Sequence, residues 1–131
     1  MKIAIAQINS TVGDFDGNSD KITDAWRRAD EAGAELVVLP ELAVCGYPPR
    51  DLLAKPAFLS RNQEALKGLV KRGGKAVAVV GYASANKTDS GRPAQNSAAV
   101  LQDGQVSAVR HKTLLPTYDV FDEDRYFEPA T

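Results

Sequence analysis

Three segments of this chain are apolar on both faces at strand spacing, and stretches of helical spacing separate them. KIAIAQI (residues 2–8) sets Ile3 and Ile5 on one face and Ala4 and Ala6 on the other. ELVVLP (residues 35–40) holds an unbroken apolar run from 36 to 39, and KAVAVVGYA (residues 75–83) is again apolar on both faces. Such strands belong where helices cover both faces of a sheet. Between the first two, Ile22, Ala25, Trp26, Ala29 and Ala32 recur at helical spacing. They predict a helix over about 19–32, with Asn18 or Ser19 as N-cap and Gly33 as the stop. Between the second and third strands come a short helical piece at RDLLAK, ended by Pro56, and a helix over about 57–72 closed by Gly73 and Gly74. Strands joined through helices predict a parallel central sheet.

The rest of the chain adds antiparallel pairing. NSAAVLQ and QVSAVRHK flank Asp103 and Gly104, a two-residue hairpin signal. SANKTDSGRPAQ has the content of an exposed loop, and the tail TLLPTYDVFDEDRYFEPAT has no clean period. The expected fold is therefore α/β: βαβαβ followed by a hairpin, with a mixed sheet. At 131 residues the chain is long enough for one domain and not for two. Its 16 basic and 17 acidic side chains nearly cancel, so nothing points to nucleic acid as a partner. A single cysteine rules out an internal disulfide and fits a reducing compartment. The N-terminus reads as a first strand rather than a signal peptide, and no apolar run approaches the ~20 residues of a bilayer span. A soluble cytoplasmic protein without a membrane partner is expected.

In open α/β sheets, working groups gather beyond the carboxyl ends of the strands. Pro40 stops the second strand, because it has no donor for the ladder, and Glu41 follows at once. Glu41 is either a surface acid capping the strand or chemistry held at a sheet edge. Tyr82 near the end of the third strand and Lys112 at the end of the fifth are the other polar candidates. Glu41 and Lys112 lie far apart in sequence, yet one strand-end site could hold both, each favouring the charged form of the other. A structural ion pair would look the same in sequence. Cys45 has the type of a nucleophile, but it sits in the same turn as Glu41, and a lone Cys among Val44, Gly46 and Tyr47 reads as a small buried hydrophobe. His111 precedes Lys112 directly, so along a strand the two face opposite ways.

The motifs VVLPELAVCGYPPRDLL and RHKTLLPTYDVFDEDRYFEP, with KIAIAQINSTVGDFDGN and NSAAVLQDGQV in order around them, resemble the carbon–nitrogen hydrolase (nitrilase) superfamily. GYPPRDLL and LPTYDVFDEDRYF resemble more narrowly the glutamine amidase domain of the glutamine-dependent NAD synthetases. The resemblance runs over the whole chain. It implies a Glu–Lys–Cys catalytic set in an α-β-β-α sandwich, with Glu41 as general base and Lys112 as the lysine that stabilises the oxyanion. It places Glu123 as a supporting glutamate, and Tyr118 and Tyr47 at the glutamine pocket or its entrance. For both tyrosines, aromatic packing under a loop is the competing reading. The family's nucleophilic cysteine falls beyond Thr131, so residues 1–131 are expected to be the N-terminal part of a single nitrilase-like amidase domain, inactive alone. The resemblance further implies glutamine as substrate and a synthetase domain on the same parent chain; sheet faces meant for missing strands would expose apolar area, so a homo-oligomer is expected. It implies no cofactor for this segment; the parent reaction takes ATP with magnesium and deamido-NAD.

Three other readings are open. Another amidase of the superfamily would act on a different small amide or carbamoyl compound. A receiver-like signalling domain has similar length, but needs acids directly after the first strand, where Gln7, Ile8 and Asn9 stand, and a phosphoacceptor ending the third, where Gly81 and Tyr82 stand. A non-catalytic α/β scaffold would keep the fold without the nucleophile.

Overall fold

Strands β1 (Ile3–Ile5), β2 (Leu36–Val38) and β3 (Val77–Ala85) pair in parallel, with Ile3 beside Leu36 and Leu36 beside Val77. Strands β4 (Ala94–Gln102) and β5 (Gln105–His111) continue the sheet in antiparallel sense, giving the order β1-β2-β3-β4-β5. The computed structural model describes all residues, 1–131, and agrees with the expected mixed α/β sheet. No helix is long and apolar enough to cross a membrane.

Both long helices lie on one face. Helix α1 (Phe15–Glu31) turns Phe15, Ile22, Trp26 and Ala29 inward, and α2 (Pro56–Arg72) turns in Phe58, Leu59, Leu66 and Leu69. They meet the Val37, Ala78, Val80, Ala99 and Leu101 side of the sheet in one buried core. Full burial of a side chain such as Ile22 or Leu66 stabilises by roughly 1.5–3 kcal/mol. Polar clamps set the register of this layer. The Trp26 indole donates to Ala76 O at 2.9 Å, and Asp30 accepts from Lys75 and Ala76 N–H at 2.9 and 2.7 Å. The chain therefore enters β3 already fixed against α1.

Helix α1 starts four residues earlier than its apolar period suggests. Asp14, not Asn18 or Ser19, caps it, accepting from Gly17 N–H at 3.0 Å. Asn18 is fully buried instead and bonds Thr11 N–H, Thr11 O and Val44 O, tying the entry of α1 to the turn that follows β2.

The opposite sheet face is open. Parallel pairing puts Ile3, Leu36 and Val77 in one row and Ile5, Val38 and Val79 in the next. Ile3 and Ile5 are 50% and 70% exposed. The expectation that β1 is covered on both faces thus fails for this chain, because both helices lie on the other side.

Candidate functional site

Strands β2 and β5 run in the same direction, so their carboxyl ends share one edge of the sheet, but β3 and β4 lie between them. Three inter-strand steps of ~4.8 Å separate the two ends by about 14 Å. The chain closes that gap by laying residues 40–42 across the open face of β3. This needs Gly81: a Cβ there would stand 2.5 Å from both Pro40 O and Leu42 N. Leu42 takes a left-handed φ of 51° to complete the turn, a conformation costly for a branched residue. The turn is held down from several sides. Val44 N–H donates to Gly81 O at 3.1 Å, Gly13 N–H to Cys45 O at 2.9 Å, and Ser10 Oγ to Ala43 O at 2.8 Å. Glu41 is thus carried over β3 toward β4.

A bulge brings Lys112 to the same face. Val100 pairs with Ala108 and Leu101 with Val106, leaving Ser107 unpaired between them. Counted from the Asp103–Gly104 turn without that extra residue, His111 would oppose Asn96 and face Glu41, and Lys112 would face away. With the bulge, His111 opposes Ser97 on the helix face, and Lys112 emerges on the Asn96 face. A one-residue register change inverts every side chain beyond it. Lys112 is then pinned through its backbone, its N–H donating to Asn96 O at 2.8 Å and its carbonyl accepting from Ala130 at 3.0 Å.

The result is a cluster of two carboxylates around one ammonium. Lys112 Nζ donates to Glu41 Oε1 at 2.8 Å and to Glu123 Oε2 at 3.0 Å. Asn96 Nδ2 donates to the same Glu41 oxygen at 2.5 Å, and Tyr47 OH donates to Glu123 Oε1 at 3.0 Å. The Glu123 side chain is 5% exposed, Lys112 32% and Glu41 45%, so the site is a lip with one buried wall. Glu41, Lys112, Asn96, Gly81 and Pro40 line an open depression of about 340 Å³. Partial burial alone would lower the Lys112 ammonium. Hydrogen bonds and charge from Glu41 and Glu123 outweigh it, and the net shift is upward. Burial, then the bond to Glu123 and the charges of Glu123 and Glu41, push the Tyr47 phenol up as well. Both groups keep their protons at neutral pH.

Of the residues singled out from sequence, Glu41, Lys112, Glu123 and Tyr47 meet in this one network. Tyr118 is 71% exposed on the loop above it, its ring edge-on to Phe121 at 5.7 Å, while Phe121 lies 6.4 Å from the Tyr47 ring. Tyr82 is not at a strand end. Pairing with β4 extends β3 to Ala85, so Tyr82 sits mid-strand, opposite Ser97 and buried under α2. His111 Nδ1 meets Ser97 Oγ at 2.6 Å on that helix face. Cys45 is fully buried, and desolvation pushes its thiol up to about 12. Sequence reading missed Asn96 and Gly81; a glycine inside an apolar strand is a signal of close backbone approach.

A carbon–nitrogen hydrolase family profile matches residues 2–131. The glutamine-dependent NAD(+) synthetases of Synechocystis sp. and Thermotoga maritima are 43% and 40% identical to the chain over 98% and 99% of its length. The chain spans 24% and 22% of those relatives, about a quarter of their length. The solved glutamine-dependent NAD+ synthetase of Acinetobacter baumannii superposes with a TM-score of 0.87 at 40% identity, over 98% of this chain and 24% of that one. An amidase from Nesterenkonia sp. superposes with a TM-score of 0.77 at 27% identity, over the whole of this chain and 48% of its own. With a family match over nearly all its residues and the sheet, helices and edge cluster described above, this chain belongs to the carbon–nitrogen hydrolase family.

Proposed function

We propose that the chain is the N-terminal part of a glutamine amidase domain, one that releases ammonia for the ATP-dependent amidation of deamido-NAD. The observation that carries this reading is Lys112 bridging Glu41 and Glu123, at 2.8 and 3.0 Å, on the lip where β2 and β5 end. A thiol from sequence outside residues 1–131 is the nucleophile. Glu41 accepts the thiol proton, the sulfur attacks the side-chain amide carbon of glutamine, and the carbonyl oxygen becomes an oxyanion. Lys112 has three N–H donors. Its bonds to Glu41 Oε1 at 2.8 Å and Glu123 Oε2 at 3.0 Å are short, and its third contact, to Glu123 Oε1 at 3.3 Å, is the weak one that can yield to the oxyanion, whose charge exists only in the transition state and intermediate. Glu41 then returns its proton to the departing ammonia, and water deprotonated by Glu41 hydrolyses the thioester to glutamate.

Glu123 keeps Lys112 charged and aimed, and Tyr47 holds Glu123. Tyr118 and Phe121 form an aromatic rim where the glutamine would enter. ATP with magnesium and deamido-NAD belong to a synthetase domain on the same parent chain. No step at the Glu41–Lys112 site runs through them, and the reading places the whole protein in the cytoplasm. A second reading, hydrolysis of another small amide, is favoured by the likeness to the Nesterenkonia amidase, of which one mutant carries the acetamide moiety of fluoroacetamide on its active-site cysteine. The higher identity to the NAD synthetases favours glutamine.

The test is glutaminase activity of the full-length protein with Glu41→Gln. The expected loss is at least about 10²-fold, the scale of a lost acid–base group; retention of most activity removes Glu41 from the mechanism. The bare face around Ile3 and Ile5 should also make residues 1–131 self-associate. Sedimentation showing a stable monomer at high concentration would count against association through that face.

A further inference from the structure

We propose that Asn96 is the positioning residue of the site and selects which oxygen of Glu41 carries the proton; this rests on the amidase reading above. Asn96 is 4% exposed and holds both members of the pair. Its main-chain carbonyl accepts from Lys112 N–H at 2.8 Å, and its side-chain Nδ2 donates to Glu41 Oε1 at 2.5 Å. A carboxylate only accepts, so the amide nitrogen must face it. Lys112 Nζ donates to that same oxygen at 2.8 Å.

Glu41 Oε1 is therefore occupied twice, while Oε2 receives no hydrogen bond from the protein. The doubly bonded oxygen is the less basic of the two, and Oε2 is the atom left to take a proton. Glu41 is nearly half exposed and its turn supplies no other side-chain bond to the carboxylate. Without Asn96 the group rotates about its last torsion, and Lys112 alone does not decide between the oxygens. Asn96 touches neither the scissile amide nor the thiol in this scheme. It acts through Glu41, by orientation.

The experiment compares Asn96→Ala and the near-isosteric Asn96→Asp in the full-length protein. Asn96→Ala is expected to lower glutaminase kcat by about 10–100-fold with KM within about twofold, because the loss is one of geometry in the transition state. Asn96→Asp keeps the shape and places a second acceptor against Glu41, so it should lose at least as much kcat, again with KM little changed. A purely structural asparagine would cost stability without lowering the kcat of the folded enzyme at unchanged KM. Wild-type kcat in Asn96→Asp overturns the proposal. If neither variant folds, the Asn96 carboxamide signal in the unsubstituted protein decides: it should move when Glu41→Gln is introduced, and an unchanged signal overturns the proposal. Failure of the amidase reading looks different: the unsubstituted full-length protein then shows no glutaminase activity at all.

Discussion

Lys112→Met is expected to lower the glutaminase kcat of the full-length protein by about 10²–10³-fold, the cost of removing one oxyanion donor. Methionine keeps the length of the stem and removes all three donors. Two effects are then separable. On the proposed amidase reading, the chemical effect is loss of the N–H offered to the developing oxyanion, and it appears in kcat rather than KM. The structural effect is that Glu123, 5% exposed, keeps only Tyr47 as a side-chain donor. Stripping one partner from a fully buried ion pair costs about 3–5 kcal/mol. With Lys112 and Glu41 a third to a half exposed, solvent reduces this to roughly 1–2 kcal/mol. Lys112→Arg should not rescue activity, because its planar fork would satisfy the two carboxylates side by side and direct no donor upward. The ammonium is raised above the ordinary lysine value of 10.5. Its contribution to stability is thus complete below that pH and is lost as pH climbs through the higher folded value. Steady-state kinetics with a thermal melt of each variant measures both effects, and a Lys112→Met enzyme within tenfold of wild-type kcat would remove the oxyanion role.

What the sequence states openly is whatever depends on local pattern. Runs such as 36–39 and alternations such as Ile3 to Ala6 encode strands through burial, and Asp103 with Gly104 encodes a turn through backbone preference, so the sheet could be read. The site is less legible because its two decisive devices are defects in those patterns. The unpaired Ser107 leaves no periodic trace, yet it alone turns Lys112 rather than His111 toward Glu41. Gly81 interrupts an apolar strand, and only the turn lying across it shows why. Asn18 reads as a cap because caps and buried clasps use the same amide chemistry; its partners at Thr11 and Val44 exist only after folding. Tyr82 looks terminal until β4 extends β3 beyond it. Glu41 and Lys112 were marked by strand ends, whereas Asn96, hidden inside β4, became visible only from the carboxylate it touches.

Cys45 is expected to resist alkylation in the folded chain by about 10³-fold relative to the same chain in denaturant. Desolvation lifts its thiol from 9.0 to about 12, and only the thiolate reacts. Three pKa units leave about a thousandth of the usual thiolate at pH 8, before burial blocks the reagent. Backbone hydrogen bonds from Cys45 and Ala83 pull the other way, but desolvation outweighs them; Sγ itself lies 3.5 Å from Gly46 O and 3.9 Å from Leu42 O, acceptors for a neutral S–H. The same shift governs alkaline stability. The unfolded thiol releases its proton near pH 9, and the folded one holds it until about 12. Across that window the unfolded state binds fewer protons, so stability falls as pH rises, by up to about 4 kcal/mol. Cys45→Ala should flatten this alkaline loss while leaving the Glu41–Lys112 cluster in place. Iodoacetamide labelling followed by mass spectrometry, with and without urea, reads the first effect directly. Rapid labelling of the native chain would mean that the turn carrying Glu41 opens to solvent, and the proposed proton carrier would then lack a rigid lip.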